Sequence, residues 1–87
     1  GAMRPYTMQG PFASWRPVRV SDDGRQTWVE LPSSAGATGT PVVLGMNSDG
    51  AERPLNARRQ GNHIVADGVY ETVRIRMGDE HVDARRI

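Results

Sequence analysis

The chain has 87 residues, enough for one domain with a small hydrophobic core and too few for a second core. Apolar residues make up 37% and charged residues 24%, a balance typical of a folded globular domain. All eleven basic residues are arginine and there is no cysteine, which excludes lysine chemistry, disulfides, thiolate nucleophiles and zinc sites with sulfur ligands. The formal charge of +1 gives no net attraction to nucleic acid or to an anionic membrane.

The N-terminal part of the chain has little regular patterning. Residues 1–3 (Gly-Ala-Met) are typical of the scar that remains when an expression tag is cleaved, and we exclude them from the fold. Residues 4–14 contain two prolines and a glycine and are expected to form an irregular lead-in. Residues 15–87 are expected to form the single domain, and the scar indicates that the chain is a piece of a longer protein.

Dipeptides that contain glycine predict tight turns at four places. Asp23-Gly24 and Asp49-Gly50 favour type I′ turns, whereas Gly61-Asn62 and Gly78-Asp79 favour type II′ turns. Between the turns, apolar and polar residues alternate as in strands with one buried face. The predicted strands are 15–21, 26–31, 41–47, 51–59, 62–67, 71–77 and 80–86. We therefore expect an all-β fold, a small β-sandwich or open barrel of about seven or eight short, mainly antiparallel strands.

Each two-residue turn fixes which residues face one another across its hairpin. The predicted partners are Val18 with Val29, Arg19 with Trp28, Val20 with Thr27, Leu44 with Leu55, Val42 with Ala57, Ala57 with Ala66, Val73 with Ala84, Arg74 with Asp83, and Ile75 with Val82. In this register Trp28 points away from the core that Val29 and Leu31 join. Pro54 cannot donate a hydrogen bond to a ladder, so it is expected at a bulge or a sheet edge, opposite Gly45.

Candidate catalytic and metal sites are weak. Asp79, His81 and Asp83 could share one strand face and offer oxygen and nitrogen ligands to a divalent metal. We favour a solvated face whose charges pair with Arg74 and Arg76 across the hairpin. No serine lies in a nucleophile elbow, and the Asp-Gly turns lack the acidic positions of a calcium loop. The sequence predicts a protein that is not an enzyme and has no metal and no cofactor.

Two binding functions remain open. A small β-barrel could bind single-stranded nucleic acid by stacking bases on Trp28 beside Arg19, although acidic residues alternate with the arginines nearly one for one. An outward Trp28 also suits a protein-interaction module, in which the indole is covered by the lead-in, by Arg19 or by a partner chain. Exposed sheet edges can accept an extended peptide as an added strand. We take the protein-interaction module as the main hypothesis and nucleic-acid binding as the alternative.

Several different short motifs follow one another in a specific order along the chain. A Val-x-Asp-Asp-Gly-x-x-Thr-aromatic hairpin in residues 17–32 is followed by an apolar strand with x-Asp-Gly-x-Glu in residues 41–52. The segments 55–58, 61–67 and 73–78 come next. Their order and spacing resemble the C-terminal domain of the TrbG/CagX family, whose members belong to the outer-membrane complex of type IV secretion and conjugal transfer systems.

The resemblance implies a non-enzymatic β-sandwich in the periplasm, associated with the outer membrane and built into the homo-oligomeric ring of a secretion channel. It implies two partners, a short outer-membrane lipoprotein that winds around the domain and an inner-membrane-anchored channel protein, with no direct binding of nucleic acid. We expect the first hairpin and the segment 33–46 to form the partner surface. The residues assigned to that surface are Trp15, Arg19, Trp28, Val42, Leu44 and Met46.

Overall fold

The computed structural model describes residues 2–33 and 39–87, and within them nine strands pair in antiparallel fashion. In chain order the strands are β1 (Arg4–Gln9), β2 (Arg19–Asp22), β3 (Gln26–Glu30), β4 (Val42–Met46), β5 (Glu52–Pro54), β6 (Ala57–Gln60), β7 (His63–Asp67), β8 (Thr72–Met77) and β9 (Glu80–Arg86). The expected all-β class is confirmed, with nine strands instead of seven or eight.

The strands form one curved sheet in the order β5-β4-β8-β9-β1-β2-β3-β7-β6, so that β5 and β6 are its two edges. β1 makes the bend between the halves. Its first two residues pair with β2, through Arg4 with Asp22 and Pro5 with Ser21, and the rest of the strand pairs with β9. A strand that passes from one layer to the other in this way forms the corner of an open barrel.

The core lies between the two halves of the curved sheet. Alternate residues of β3 and β8 are buried, as the two-residue period of a strand requires. The buried cluster consists of Tyr6, Trp15, Val20, Val29, Leu31, Val43, Ile64, Ala66, Val73, Ile75, Val82 and Ala84. Each large aliphatic side chain among them contributes about 1.5–3 kcal/mol by leaving water.

One ion pair at the margin of this core joins a buried carboxylate to a partly exposed arginine. Asp22 is 1% exposed, and its carboxylate accepts a hydrogen bond from Nε of Arg86 at 2.8 Å and from the backbone N–H of Gly24 at 2.9 Å. The Arg86 guanidinium holds the pKa of Asp22 below its ordinary value. Burial raises the pKa of the neighbouring Tyr6 to about 12, and the Tyr6 hydroxyl donates to the backbone oxygen of Tyr70 at 3.3 Å. The pair joins β2 to β9 across the bend.

Two of the four predicted hairpin registers are confirmed. The Gly78-Asp79 turn and the Gly61-Asn62 turn each have glycine at positive φ, 60° and 59°, followed by a residue with negative φ, as type II′ turns require. The confirmed partners are Val73 with Ala84, Arg74 with Asp83, Ile75 with Val82, and Ala57 with Ala66.

The predicted register of the first hairpin is wrong by two residues, because Val20 faces Val29. The carboxylate of Asp23 accepts hydrogen bonds from the backbone N–H groups of the two residues after Gly24, at 2.9 and 2.7 Å, and the loop between the strands holds three residues, 23–25, instead of two. A shift of two residues leaves every side chain on its predicted face, so Trp28 still points away from the core.

The predicted register of the second hairpin is wrong by one residue. Leu44 faces Pro54 and not Leu55, because the loop 47–51 holds five residues instead of two. Pro54 lies opposite Leu44 rather than Gly45, but the prediction that it lies at a sheet edge is confirmed, since β5 is an edge strand.

The predicted strand 51–59 is two strands. β5 pairs with β4 and β6 pairs with β7, so the two residues between them carry the chain from one edge of the sheet to the other. Val42 therefore pairs with Arg76 and not with Ala57.

The lead-in predicted for residues 4–14 is wrong in its first part, because residues 4–9 form β1. Tyr6 and Met8 face the interior between exposed neighbours, a two-residue alternation that the flanking prolines obscured. The strand predicted at 15–21 is confined to β2, and Trp15 lies before it in an irregular segment.

Replacing Asp22 by Asn is expected to lower the free energy of unfolding at neutral pH by on the order of 2 kcal/mol, because it removes the buried charge that pairs with Arg86. Denaturant unfolding measures this loss. Asp79→Asn is the control: Asp79 is exposed and forms no ion pair in the described part of the chain, so the change should stay below about 0.5 kcal/mol. Equal losses in both variants would contradict the assignment.

The same pair predicts a pH dependence. Because the folded-state pKa of Asp22 lies below its unfolded-state value, its stabilisation is fully present above about pH 4 and is lost as the pH falls through the folded-state pKa. The stability difference between the native chain and Asp22→Asn should be constant near neutral pH and should shrink in acid. A difference that grows in acid would exclude this ion pair as its source.

Candidate protein-interaction site

A cleft opens where β1 separates from β2. After the pair of Pro5 with Ser21, β1 turns towards β9, and Arg19 and Val20 of β2 are paired with β3 alone in the described residues. The cleft between the strands has a volume of about 440 Å³. Its apolar lining comes from Met3, Pro5, Met8, Val18 and Val20. One edge of β2 therefore lacks a strand partner beside an apolar cleft, where Arg19 is exposed and Val20 is 2% exposed.

Trp28 forms one side of the cleft and is held in place from two directions. Its Nε1 donates to Oδ2 of Asp23 at 3.4 Å, and its ring meets the ring of His63 edge to face, with centroids 6.0 Å apart and planes at 79°. Directly opposite on β7, Val65 is fully buried although it lies on the outer face. The indole shields Val65 and presents its remaining surface to the cleft.

Charged groups form the rim of the cleft. Nε of Arg19 lies 3.1 Å from Oε1 of Glu30, and the Arg19 side chain is 70% exposed. Nε2 of His63 lies 3.9 Å from the same carboxylate oxygen. An ion pair this exposed contributes little to stability, so both of its groups can exchange partners at low free-energy cost.

The loop below Trp28 fixes the Asp23 carboxylate. The backbone N–H groups of Gln26 and Arg25 donate to it and hold the pKa of Asp23 below its ordinary value. Asp23 therefore remains an anion, and an acceptor for the indole N–H, well into the acid range.

The structure divides the residues predicted for the partner surface into three groups. Arg19 and Trp28 line the cleft together. Trp15 is 5% exposed and packs in the core, so it offers no surface to a partner in this structure. The third group lies on the outer face of β4, five positions from β3 in the sheet, and comprises Val42, Leu44 and Met46.

The β4 group is unevenly exposed. Val42 is 55% exposed and Met46 is half-buried, whereas Leu44 is 6% exposed between its cross-strand neighbours Pro54 and Arg74. Part of the predicted segment 33–46, residues 34–38, lies outside the described residues. Val42 is therefore the most exposed member of this group.

The face considered for a metal is occupied by an ion pair. Arg74 donates from Nε and Nη2 to the two carboxylate oxygens of Asp83, at 2.8 and 3.0 Å, and from Nη1 to Glu52 at 2.6 Å. The Arg74 guanidinium holds the pKa of Asp83 below its ordinary value. Within residues 2–33 and 39–87 no three His, Asp or Glu side chains are arranged to hold a metal ion.

Sequence reasoning missed the part of the cleft contributed by β1. The sequence pattern predicts a tag scar at Met3 and an irregular lead-in at Pro5 and Met8. The alternation of Tyr6 and Met8 with polar neighbours was the available signal. The opening of the cleft could not be predicted from neighbouring residues in the sequence, because it depends on the long-range pairing of β1 with β9.

These features define the class: an all-β domain that carries an open cleft at a strand edge, with an aromatic side and a charged rim. The family model of CagX, a conjugal transfer protein, matches residues 2–87, and the chain belongs to this family. The family resemblance expected from the sequence is thus confirmed, and membership supports a role related to type IV secretion. A search of curated proteins gave no match. In the part of the chain that the structure describes, no helix has the length and apolarity to cross a membrane.

Protonation of Asp23 should loosen Trp28. In a pH titration followed by the indole Nε1–H resonance, we expect the Trp28 signal to shift with a midpoint below the ordinary aspartate value of about 3.9, because the folded state favours the carboxylate. Asp23→Asn should abolish this transition, and the resonance of the buried Trp15 serves as the internal control for unfolding. A Trp28 midpoint above that value would contradict the hydrogen-bond assignment.

Proposed function

We propose that this chain is a structural, protein-interaction domain of the outer-membrane complex of a type IV secretion system, located in the periplasm. It binds the short outer-membrane lipoprotein of the same system and contributes to a homo-oligomeric channel ring next to an inner-membrane-anchored channel protein. Its role is binding and not catalysis. Membership of the conjugal transfer family supports the setting, and the cleft supports the mode of binding.

The observation that carries the proposal is the open edge of β2. The strand pairs with β3 on one side, whereas β1 covers only its last two residues on the other. Such an edge presents main-chain donors and acceptors to which an extended peptide can add as a strand. The volume of about 440 Å³ next to this edge leaves room for the peptide and its side chains.

The side chains around the edge suit a peptide with apolar residues. Trp28 and Val18 give apolar contact area, and Val18 is 51% exposed in the absence of a partner. Arg19 can transfer from Glu30 to a main-chain carbonyl oxygen of the peptide, because both arrangements are solvent-exposed. Tryptophan and arginine are the residue types that most often dominate binding at protein interfaces.

The electrostatics of the cleft favour a peptide over single-stranded nucleic acid. A strand-binding groove needs an excess of cations along the phosphate backbone. Beside Trp28, the charge of Arg19 is already neutralised by Glu30, and Asp23 adds a carboxylate. The arrangement would repel phosphates near the aromatic platform.

Calorimetric titration of the 87-residue chain with the unacylated lipoprotein tests the proposal. Trp28→Ala is expected to weaken binding about tenfold or more, because it removes the largest apolar contact of the cleft. Phe12→Ser is the matched control, since it removes an exposed aromatic side chain outside the cleft and should leave affinity unchanged.

Val18→Asp provides a second test that does not touch the core, because Val18 is half-exposed and lines the cleft. It should also weaken binding, while the amide spectrum of the core stays native. Hydrogen exchange should show new protection of the β2 amides that face the cleft when the lipoprotein is bound. Native affinity in both cleft variants, or protection confined to other strands, would exclude this site.

A further inference from the structure

Phe12 is the most exposed large apolar side chain in the described residues, at 90% exposure, yet its position is fixed. The guanidinium of Arg16 lies 4.0 Å from the ring centroid. Arg16 is itself held by donation from Nη1 to the backbone oxygen of Gly10 at 2.8 Å and from its backbone N–H to the oxygen of Ala13 at 3.0 Å. The Phe12 ring is not part of the hydrophobic core. An exposed aromatic ring whose position is fixed has the features of a preorganised anchor for binding.

An acidic turn lies next to the anchor. Pro11, the residue before Phe12, shares a concavity with Asp79 and Glu80 of the β8–β9 turn. Both acidic side chains are exposed, and neither forms an ion pair within the described residues. The segment is tightly bound to β9, since a Cβ on Gly10 would lie 2.9 Å from the backbone oxygen of His81. The segment 10–11 therefore places the anchor near the two carboxylates.

A groove with the complementary properties lies between the two edges of the sheet. It has a volume of about 210 Å³, and a cavity of roughly 150 Å³ is enough to hold benzene. Its apolar lining includes Val42, Leu55, Ala57 and Ile64. Arg58 and Arg59 provide positive charge at the same groove.

The two arginines have little local compensation. Arg59 donates to neutral acceptors, Oγ1 of Thr40 and the backbone oxygen of Gly61, and Arg58 lies 3.8 Å from the nearest oxygen of Asp67. The groove therefore combines an apolar interior with positive charge, whereas the anchor combines an apolar ring with negative charge.

We infer that Phe12 of one copy of this chain docks in the edge groove of a second copy, with the acidic turn of the first copy against Arg58 and Arg59 of the second. The anchor and the groove share no residue, so the contact joins different patches on the two copies. Repetition of such a head-to-tail contact generates a ring when the rotation closes. The inference rests on the ring in the proposed function and identifies the residues that would join its neighbouring copies.

Self-association of the 87-residue chain tests the inference, followed by the concentration dependence of its amide resonances up to the millimolar range. We expect shifts at the anchor and at the groove in the same titration. Phe12→Ser and Ala57→Gln should each weaken association about tenfold or more, the first by removing the ring and the second by filling the groove mouth. Both residues are exposed, so the core resonances should remain native. Ile87→Ser removes an exposed apolar side chain outside the anchor, the groove and the cleft and should leave self-association unchanged.

Mixing the two variants gives a sharper test. Phe12→Ser keeps an intact groove and Ala57→Gln keeps an intact anchor, so the mixture should form a one-to-one contact that neither variant forms alone. A native chain that stays monomeric at every concentration, association that survives Phe12→Ser, or a mixture that fails to associate would each overturn the inference.

Lipoprotein binding separates this inference from the proposed function. Phe12→Ser should bind the lipoprotein as the native chain does while it loses self-association. A native chain that binds the lipoprotein in the cleft but does not self-associate would overturn the copy-to-copy contact and leave the cleft assignment intact.

Discussion

The ion pair between the buried Asp22 carboxylate and Arg86 lies where the backbone ladder of this sheet is thinnest. β1 joins the two halves, but it shares only two residue pairs with β2 before it turns to β9. The ion pair connects β2 to β9 directly, across the strand that bends between them. A charge that is 1% exposed is costly without its partner, so the two halves cannot separate here without leaving the Asp22 carboxylate unpaired or resolvating it.

The bend that needs this ion pair also produces the cleft. If β1 continued along β2, the edge at Arg19 and Val20 would be covered by a full ladder and Trp28 would face a closed sheet. Because β1 departs, the edge stays open, while the ion pair and the β1–β9 ladder keep the departing strand in place. The opening is therefore a rigid feature of the fold, and a peptide that enters it does not have to break existing strand pairs.

The sequence predicted local features that a few residues determine and missed those that depend on distant partners. Glycine in the first turn position gave the correct registers at Gly61 and Gly78, because the required positive φ is a property of that residue alone. The predicted register at the Asp23 turn was wrong because hydrogen bonds to the Asp23 side chain, and not only the backbone, set the length of this turn. The prediction that Trp28 points away from the core was correct, because a register shift of two residues keeps each side chain on the same face of the sheet. Burial of Trp15 could not be predicted, since it follows from packing between two halves of a sheet whose joining strand was not recognised.

The position of the two surfaces in the sheet bears on how the domain could serve in an assembly. The cleft is built on β1, β2 and β3, whereas the edge groove is built on β4 to β7 around the two sheet edges. Apart from a short contribution of β7 to each, the cleft and the groove use separate strands. The free-energy effects of substitutions in the two sites are therefore expected to be additive. A lipoprotein in the cleft would leave both the Phe12 anchor and the edge groove accessible. One small domain could then hold a peptide and two neighbouring copies at once, which is the number of contacts that a member of a closed ring with a bound lipoprotein requires.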